Sequence, residues 1–280
     1  MQELFIGVDG GATKCTVRVE DKAGLLLGQE SSGPANIRIS VDQAWQSIYS
    51  ALNKIIKNDH YHFHVGMGLA GCEMIEAYHA FLRHAHIFKT LIVTSDAHTA
   101  CLGAHGGKDG AIIIAGTGAV GYQINKGKVS KVSGWGFPYD DQGSGAWIGL
   151  HAVKQTLQWL DGRLPESALT KAVYAHFQQD QTQLLNWADR ANSTAFAELA
   201  PLVVKHGQQG DAAAQEILQR AAQAIDKIGN TLEATLPCAL VGGVASFLQP
   251  LLSNELRARL RPCLAEPVVG AMFLVRRSYE

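Results

Sequence analysis

Leu4-Phe5-Ile6-Gly7-Val8-Asp9-Gly10-Gly11-Ala12-Thr13-Lys14, near the start of the chain, is an apolar run that ends on an aspartate and breaks into two glycines. A related stretch, Ala111-Ile112-Ile113-Ile114-Ala115-Gly116-Thr117-Gly118-Ala119-Val120-Gly121, lies near the middle. Aligning Ile6 with Ile113 also aligns Gly11 with Gly118, Ala12 with Ala119 and Val17 with Ile124. Each copy reads as a buried strand, a tight turn of small residues and a returning strand, so an α/β protein of two related units is expected. Glycine in such a turn tolerates positive φ and lets backbone N–H groups approach an anion. Two turns of this kind would clasp a polyphosphate from both sides. The pattern is not a Walker loop, because no Gly-x-x-x-x-Gly-Lys-Ser/Thr occurs, and neither turn opens a helix as a dinucleotide fingerprint does.

Length and composition bound the rest. A chain of 280 residues, 47% hydrophobic and 18% charged, suits about two globular domains. Lys+Arg 24 against Asp+Glu 25 leaves a formal net charge of −1, which predicts no attraction to nucleic acid or to a membrane surface. Any anionic ligand must then be held locally. The five cysteines, Cys15, Cys72, Cys101, Cys238 and Cys263, fit neither a disulfide framework nor a zinc knuckle, and since most sit among apolar or small residues they read as buried free thiols. No stretch approaches the ~20 apolar residues of a membrane span, and Met1-Gln2-Glu3 leads straight into a strand without a signal-like segment. A cytoplasmic protein is the resulting expectation.

Strands are expected at 4–8, 15–20 and 25–30, a helix over 41–57, a strand at 62–69, a helix at 75–84, a strand at 90–94 and a helix after Asp96. The order restarts with strands at 111–115, 119–124 and 128–133, a loop from Ser133 to Gly145, and helices at 146–160, 168–178, 195–205 and 212–234. A strand at 239–241 enters Gly242-Gly243, and a closing helix follows. The expected domains are 1–104 with the C-terminal helix 268–280, and 105–267 with helical insertions.

Asp9, flanked by phosphate-cradling amides, suits Mg²⁺ held through water and phosphate oxygens; a turn aspartate bonding its own backbone is the alternative. Thr13 and Lys14 add a hydroxyl and an ammonium. Asp96 follows an apolar strand, where open α/β sheets bind ligands, and is placed either to accept a hydroxyl proton or to cap the next helix. Asn36 and the Gly134–Gly145 loop, with Trp135, Asp140 and Asp141, offer polar groups for a hydroxyl-rich ligand or form an ordinary loop. His60, His62 and His64 alternate along one strand; with no carboxylate or cysteine to complete a metal set, a solvated face is expected.

Together these stretches resemble the BadF/BadG/BcrA/BcrD-type ATPase family, including its bacterial glucosamine kinases and N-acetylglucosamine kinases, within the actin-like/sugar kinase/Hsp70 superfamily. The resemblance runs through Gly7–Thr13, Ala35-Asn36-Ile37, Gly68-Leu69-Ala70-Gly71, Thr94-Ser95-Asp96-Ala97, Ala115-Gly116-Thr117-Gly118, Asp141-Gln142-Gly143-Ser144-Gly145 and Gly242-Gly243. It implies two actin-like (ribonuclease H-like) domains with a hinge and an interdomain cleft. By the same resemblance, Gly10, Gly11, Ala12, Thr13 and Lys14 form the first phosphate loop, Gly116, Thr117 and Gly118 the second, and Gly242 and Gly243 the adenosine loop. Asn36, Asp96, Gly134, Trp135 and Asp141 match the amino-sugar contacts, with Asp96 the catalytic base and Asp9 the Mg²⁺ carboxylate. The implied reaction is transfer of the ATP γ-phosphoryl group to the 6-hydroxyl of a hexosamine by a homodimer.

The acceptor stays open between glucosamine and N-acetylglucosamine: Asp141-Gln142-Gly143-Ser144 looks like the bacterial glucosamine kinases, whereas Trp135 is associated with the N-acetyl-sugar enzymes. An ATPase activator of a dehydratase or reductase is a further reading, but it needs paired cysteines. Cys101 has no partner cysteine in the Asp141 loop. A sugar sensor without turnover would be expected to lack Asp96.

Overall fold

The computed structural model describes residues 2–57 and 60–279; Met1, Asn58, Asp59 and Glu280 lie outside the described residues, and Met1 and Glu280 are the ends of the range expected for the first domain. The chain divides into two compact units: residues 1–110 with 123–128 and 262–280, and residues 111–122 with 129–261.

In the first unit the order is β1 (Gln2–Gly10), β2 (Cys15–Asp21), β3 (Leu26–Ser32), α1 (Val41–Ile55), β4 (Tyr61–Leu69), α2 (Ile75–Arg83), β5 (Thr90–Ser95) and α3 (Asp96–Ala104). The strands form one sheet in the order β3-β2-β1-β4-β5, with β1–β2 and β2–β3 antiparallel and β1–β4 and β4–β5 parallel. The second unit follows with β6 (Gly110–Ala115), β7 (Ala119–Asn125), β8 (Lys128–Ser133) and α4 (Gly145–Leu160). Its helical insertions are α5 (Ala168–His176), α6 (Gln181–Ala188), α7 (Ser193–Ala197), α8 (Ala200–Gln208) and α9 (Ala212–Thr231). Then come β9 (Cys238–Val241), α10 (Ala245–Leu248), a 3₁₀ turn and α11 (Asn254–Arg259), and α12 (Pro267–Tyr279) returns to the first unit. The second sheet runs β8-β7-β6-β9, with β6 and β9 parallel.

The two-residue period of β1 decides what each face of the first sheet meets. Leu4, Ile6 and Val8 point into a core shared with Trp45, Ile48 and Leu52 of α1. Phe5 packs on Met272 and Val275 of α12 on the other side. Gly7 and Gly66 lie beneath α12, and a Cβ at either would run into the carbonyl of Val268 or Ala271. The helix therefore rests on bare backbone and sits close to the sheet. Gly270 repeats this against α3, where a Cβ would overlap the carbonyl of Thr99.

Most elements fall where the periodicity puts them. The 195–205 stretch is split into α7 and α8, with Pro201 in the first turn of α8, where its missing N–H leaves no bond unmade. The sequence reading passed over α6, which Asp180 caps by accepting from the N–H of Thr182 at 2.7 Å. Cys263 is exposed, unlike the buried thiols expected.

The solvated histidine face is corrected at His64, while His60 is exposed and His62 half-buried. His64 is 2% exposed, its Nε2 bonds Glu3 Oε2 at 2.5 Å, and its Nδ1 meets Thr90 Oγ1 at 3.0 Å. His62 Nδ1 bonds the other Glu3 oxygen at 3.0 Å. The carboxylate missing from the local sequence arrives from β1, because the parallel register pairs Glu3 with His62. Bonds to His62 and His64 hold the Glu3 carboxyl down at about 2. Among the described residues, no group of three or more His, Cys, Asp or Glu is arranged to hold a metal, and no helix is long and apolar enough to cross a membrane.

The close seat of α12 on α3 has a measurable consequence. Gly270→Leu is expected to destabilise the protein by at least about 2 kcal/mol through overpacking, read from urea unfolding. Wild-type stability would show that α12 is not held at this contact.

Candidate active site

Parallel register brings the first unit's chemistry to one end of its sheet. Asp9 on β1 pairs with Gly68 on β4, which pairs with Thr94 on β5. Asp9 and Asp96 thus stand at the carboxyl ends of strands separated by one neighbour, with about 10 Å between the two strand axes. Gly68 makes the arrangement possible, since a Cβ there would collide with Thr99 of α3. Without that side chain α3 packs down against β4, and its first residue, Asp96, follows two residues after the Thr94 that the register sets level with Asp9.

Asp96 is not the helix cap: Ser95 is, its Oγ accepting from the N–H of His98 at 3.3 Å. Asp96 occupies the first helical position, where one carboxylate oxygen accepts from the N–H of Ala97 at 2.8 Å. A carboxylate in the first turn is favoured by the positive end of the helix dipole. Asp9 is partly buried, and burial followed by the charge of Asp96 raises its carboxyl from 3.8 to about 6. Lys14 opposes that shift and Glu266, just before α12, adds to it. The Cys72 thiol, donating to the carbonyl of Thr94 at 3.1 Å, is pushed up to about 12 by burial and by Asp96.

The first glycine turn closes through Gly11 N–H to the carbonyl of Lys14 at 2.9 Å, leaving Ala12, Thr13 and Lys14 exposed. Gly10 accepts from the N–H of Ala70 at 2.8 Å and Gly11 from that of Ala35 at 3.0 Å. Those two bonds draw the Asn36 loop and the Ala70-Gly71 turn beside the glycines. Asn36 Oδ1 accepts from the N–H of Arg38 at 3.0 Å, so its amide NH₂ remains the group available to a ligand. The structure therefore gathers Asp9, Gly10, Gly11, Asn36 and Asp96 around one end of one sheet.

In the second unit, Gly116, Thr117 and Gly118 form a turn closed by Gly116 N–H to the carbonyl of Gly118 at 2.9 Å. The start of α4 docks on it, with Gly145 N–H donating to Gly116 at 2.8 Å and Ala146 N–H to Thr117 at 3.2 Å. Ser144 caps that helix through Trp147 N–H at 3.1 Å. Gly242, at φ 111, presses against the backbone of Ala115 and Gly116 where no side chain fits, and Val244 N–H bonds Ala115 at 3.1 Å. The second and third glycine turns are thus one continuous backbone surface.

Asp141 lies under this turn. It is 8% exposed at φ 62, and its Oδ2 lies 3.0 Å from where a Gly118 Cβ would stand. Burial raises its proton affinity, while the backbone N–H groups of Ala119 and Phe137 lower it. Trp135, by contrast, is 82% exposed on the preceding loop, next to Gly134 at φ 74.

One feature escaped sequence reading. A cavity of about 600 Å³ opens beside the third turn, lined by Val204, Leu218, Gln215, Ser246, Phe247 and Pro250. Its residues come from α8, α9 and the segment after Gly243, so only the position of Gly242-Gly243 hinted at it. Mostly apolar walls with a few polar groups suit a flat heteroaromatic ring.

Residues 6–274 match the model of the BadF/BadG/BcrA/BcrD ATPase family. The chain is 35% identical over 276 residues to glucosamine kinase GspK of Vibrio cholerae, covering 96% of this chain and 94% of that one. A crystal structure from Chromobacterium violaceum that carries the name N-acetylglucosamine kinase superposes with a TM-score of 0.90 at 32% identity, covering 98% of this chain and 99% of that one. A ROK family glucokinase from Streptomyces griseus, solved with glucose and AMPPNP, shares the fold alone, at a TM-score of 0.57 and 15% identity over 98% and 99% of the two chains.

The raised Asp9 carboxyl makes stability depend on pH. Between 3.8 and about 6 the folded chain keeps a proton that the unfolded chain has lost. Ionised Asp9 therefore lowers stability, increasingly as pH climbs through that window and fully above it. In metal-free buffer, Asp9→Asn should gain about 2 to 3 kcal/mol at pH 8 and almost nothing near pH 4. Urea unfolding at the two pH values decides it, and a gain independent of pH would refute the assignment.

Proposed function

The chain belongs to the BadF/BadG/BcrA/BcrD ATPase family, and on that premise we propose that it is an ATP-dependent hexosamine kinase acting on the 6-hydroxyl of glucosamine. The observation that carries this reading is the placement of Asp96 one strand from Asp9, at the sheet end where the first glycine turn sits. The choice of glucosamine draws on the Vibrio cholerae relative. N-acetylglucosamine is the alternative acceptor, favoured by the open indole of Trp135 and by the Chromobacterium violaceum structure.

Asp96 accepts the proton of the sugar hydroxyl as its oxygen attacks the γ-phosphorus. The new O–P bond forms as the bond to the β–γ bridging oxygen breaks, and ADP leaves with that electron pair. Asn36, Gly134, Trp135 and Asp141 hold the sugar. Backbone N–H groups of the Gly10–Lys14 and Gly116–Gly118 turns hold phosphate oxygens. Gly242 and Gly243 carry the adenosine, with the base in the cavity beside Phe247.

Mg²⁺ fits Asp9, a partly buried oxygen donor whose ionised form is disfavoured by burial and by Asp96. Held through Asp9, the ion would keep several waters, as Mg²⁺ commonly does. When bound, it neutralises charge on the phosphates. A homodimer completes the proposal on the strength of the family resemblance alone, and a cytoplasmic place on the cysteine usage.

A coupled assay of ADP release with glucosamine, N-acetylglucosamine and glucose tests the reading. Glucosamine should give the highest kcat/KM, and Asp96→Asn should lose at least about 10²-fold in kcat with nucleotide affinity kept. No sugar-dependent ADP release would dispose of the kinase reading, and near-normal turnover in the variant would remove Asp96 as base.

A further inference from the structure

Trp135 is open to solvent, so packing does little to fix its direction. The backbone of its turn must do so. That turn is irregular: Ser133 has φ 62, Gly134 φ 74 and Gly136 φ 106. A non-glycine residue in the left-handed region carries strain of order 1 kcal/mol or more, and it persists only where the surroundings impose it.

Asp140 imposes it. Its Oδ2 accepts from Ser133 Oγ at 2.9 Å and from the N–H of Trp135 at 3.1 Å. Its own N–H donates to the carbonyl of Gly136 at 2.9 Å. Three bonds from one residue span the turn from its first residue to its fourth. The following residue, Asp141, turns the chain at φ 62 and is buried against Gly118 of the second glycine turn. Adjacent carboxylates therefore sit against two turns, Asp140 against the exposed aromatic one and Asp141 against Gly118. Lys131 lies 5.7 Å from the Trp135 ring, on the same side of the loop.

We propose that Asp140 is a positioning residue for the sugar: it fixes the Ser133–Trp135 turn and so sets where Gly134 and Trp135 meet the substrate ring. This rests on the kinase reading above, in which Gly134 and Trp135 touch the sugar and Asp140 does not. The chemistry of the hold makes it separable from a charge effect. A single oxygen takes both donors, so an asparagine with its carbonyl oxygen in that place keeps both bonds and loses the charge.

The test combines kinetics with amide exchange. In Asp140→Ala, the sugar KM should rise about 10-fold, as expected for losing charge-assisted hydrogen bonds, with kcat and the KM for ATP changed less than about 3-fold. Asp140→Asn should restore the sugar KM to within about 3-fold of wild type, and Ser133→Ala should fall between the two. Independently of activity, hydrogen exchange at the Trp135 amide should quicken at least about 10-fold in Asp140→Ala and stay protected in Asp140→Asn. A wild-type sugar KM in Asp140→Ala overturns the proposal. Asp140→Asn as impaired as Asp140→Ala also overturns it, because charge rather than position would then be at work. If wild type phosphorylates no sugar, the kinase reading falls, and unchanged Trp135 exchange in Asp140→Ala would still separately refute the hold.

Discussion

Asp9 and Asp96 are two acids set at the carboxyl ends of strands that have a single strand between them, in a corner partly shielded from water. Holding like charges there is unfavourable: a carboxyl raised by about two pH units corresponds to roughly 3 kcal/mol against ionisation near neutrality. Lys14 relieves it only in part, and Glu266 adds a further negative charge. A protein retains such an arrangement when something arriving from outside supplies the positive charge. Phosphate-bound Mg²⁺ beside Asp9 is that charge in our reading, and Asp96 is then left to handle a proton.

The rest of the first unit can be understood as what places those two carboxylates. Gly68 lets α3 sit against the sheet, and Gly7 and Gly66 let α12 lie directly on β1 and β4. At these positions the missing side chain serves the close packing of helix on strand. Glycine serves two purposes here, close packing of helix on strand and close approach of backbone to a ligand. In the second unit the same economy recurs, with Gly242 pressed on the backbone of Gly116 so that two turns share one surface.

Sequence showed the frame well and the supports poorly. The β1 run, its glycine turn and the Asp96 strand end are local patterns of alternation and breakage, so they were readable. The choice between roles for Asp96 was not readable there: that Ser95 rather than Asp96 takes the cap is seen only in the folded chain. What stayed hidden depends on residues distant in the chain. Glu3 meets His62 and His64 only through parallel pairing of β1 with β4, which is why that face looked solvated. The cavity beside Phe247 draws on α8 and α9, and no motif marks it. Asp140 was in view as part of an acidic loop, yet its bonds to Ser133 and Trp135 come from backbone angles no residue pattern spells out.

The account depends most on the state of Asp9, and its side-chain carboxyl can be followed directly by ¹³C NMR, assigned through the signal lost in Asp9→Asn. In metal-free protein the resonance should titrate near pH 6, well above the ordinary 3.8. Addition of Mg²⁺ with a non-hydrolysable ATP analogue should move the midpoint below about 4, as an adjacent cation favours the ionised form. A midpoint near 3.8 that Mg²⁺ and nucleotide leave unmoved would contradict it.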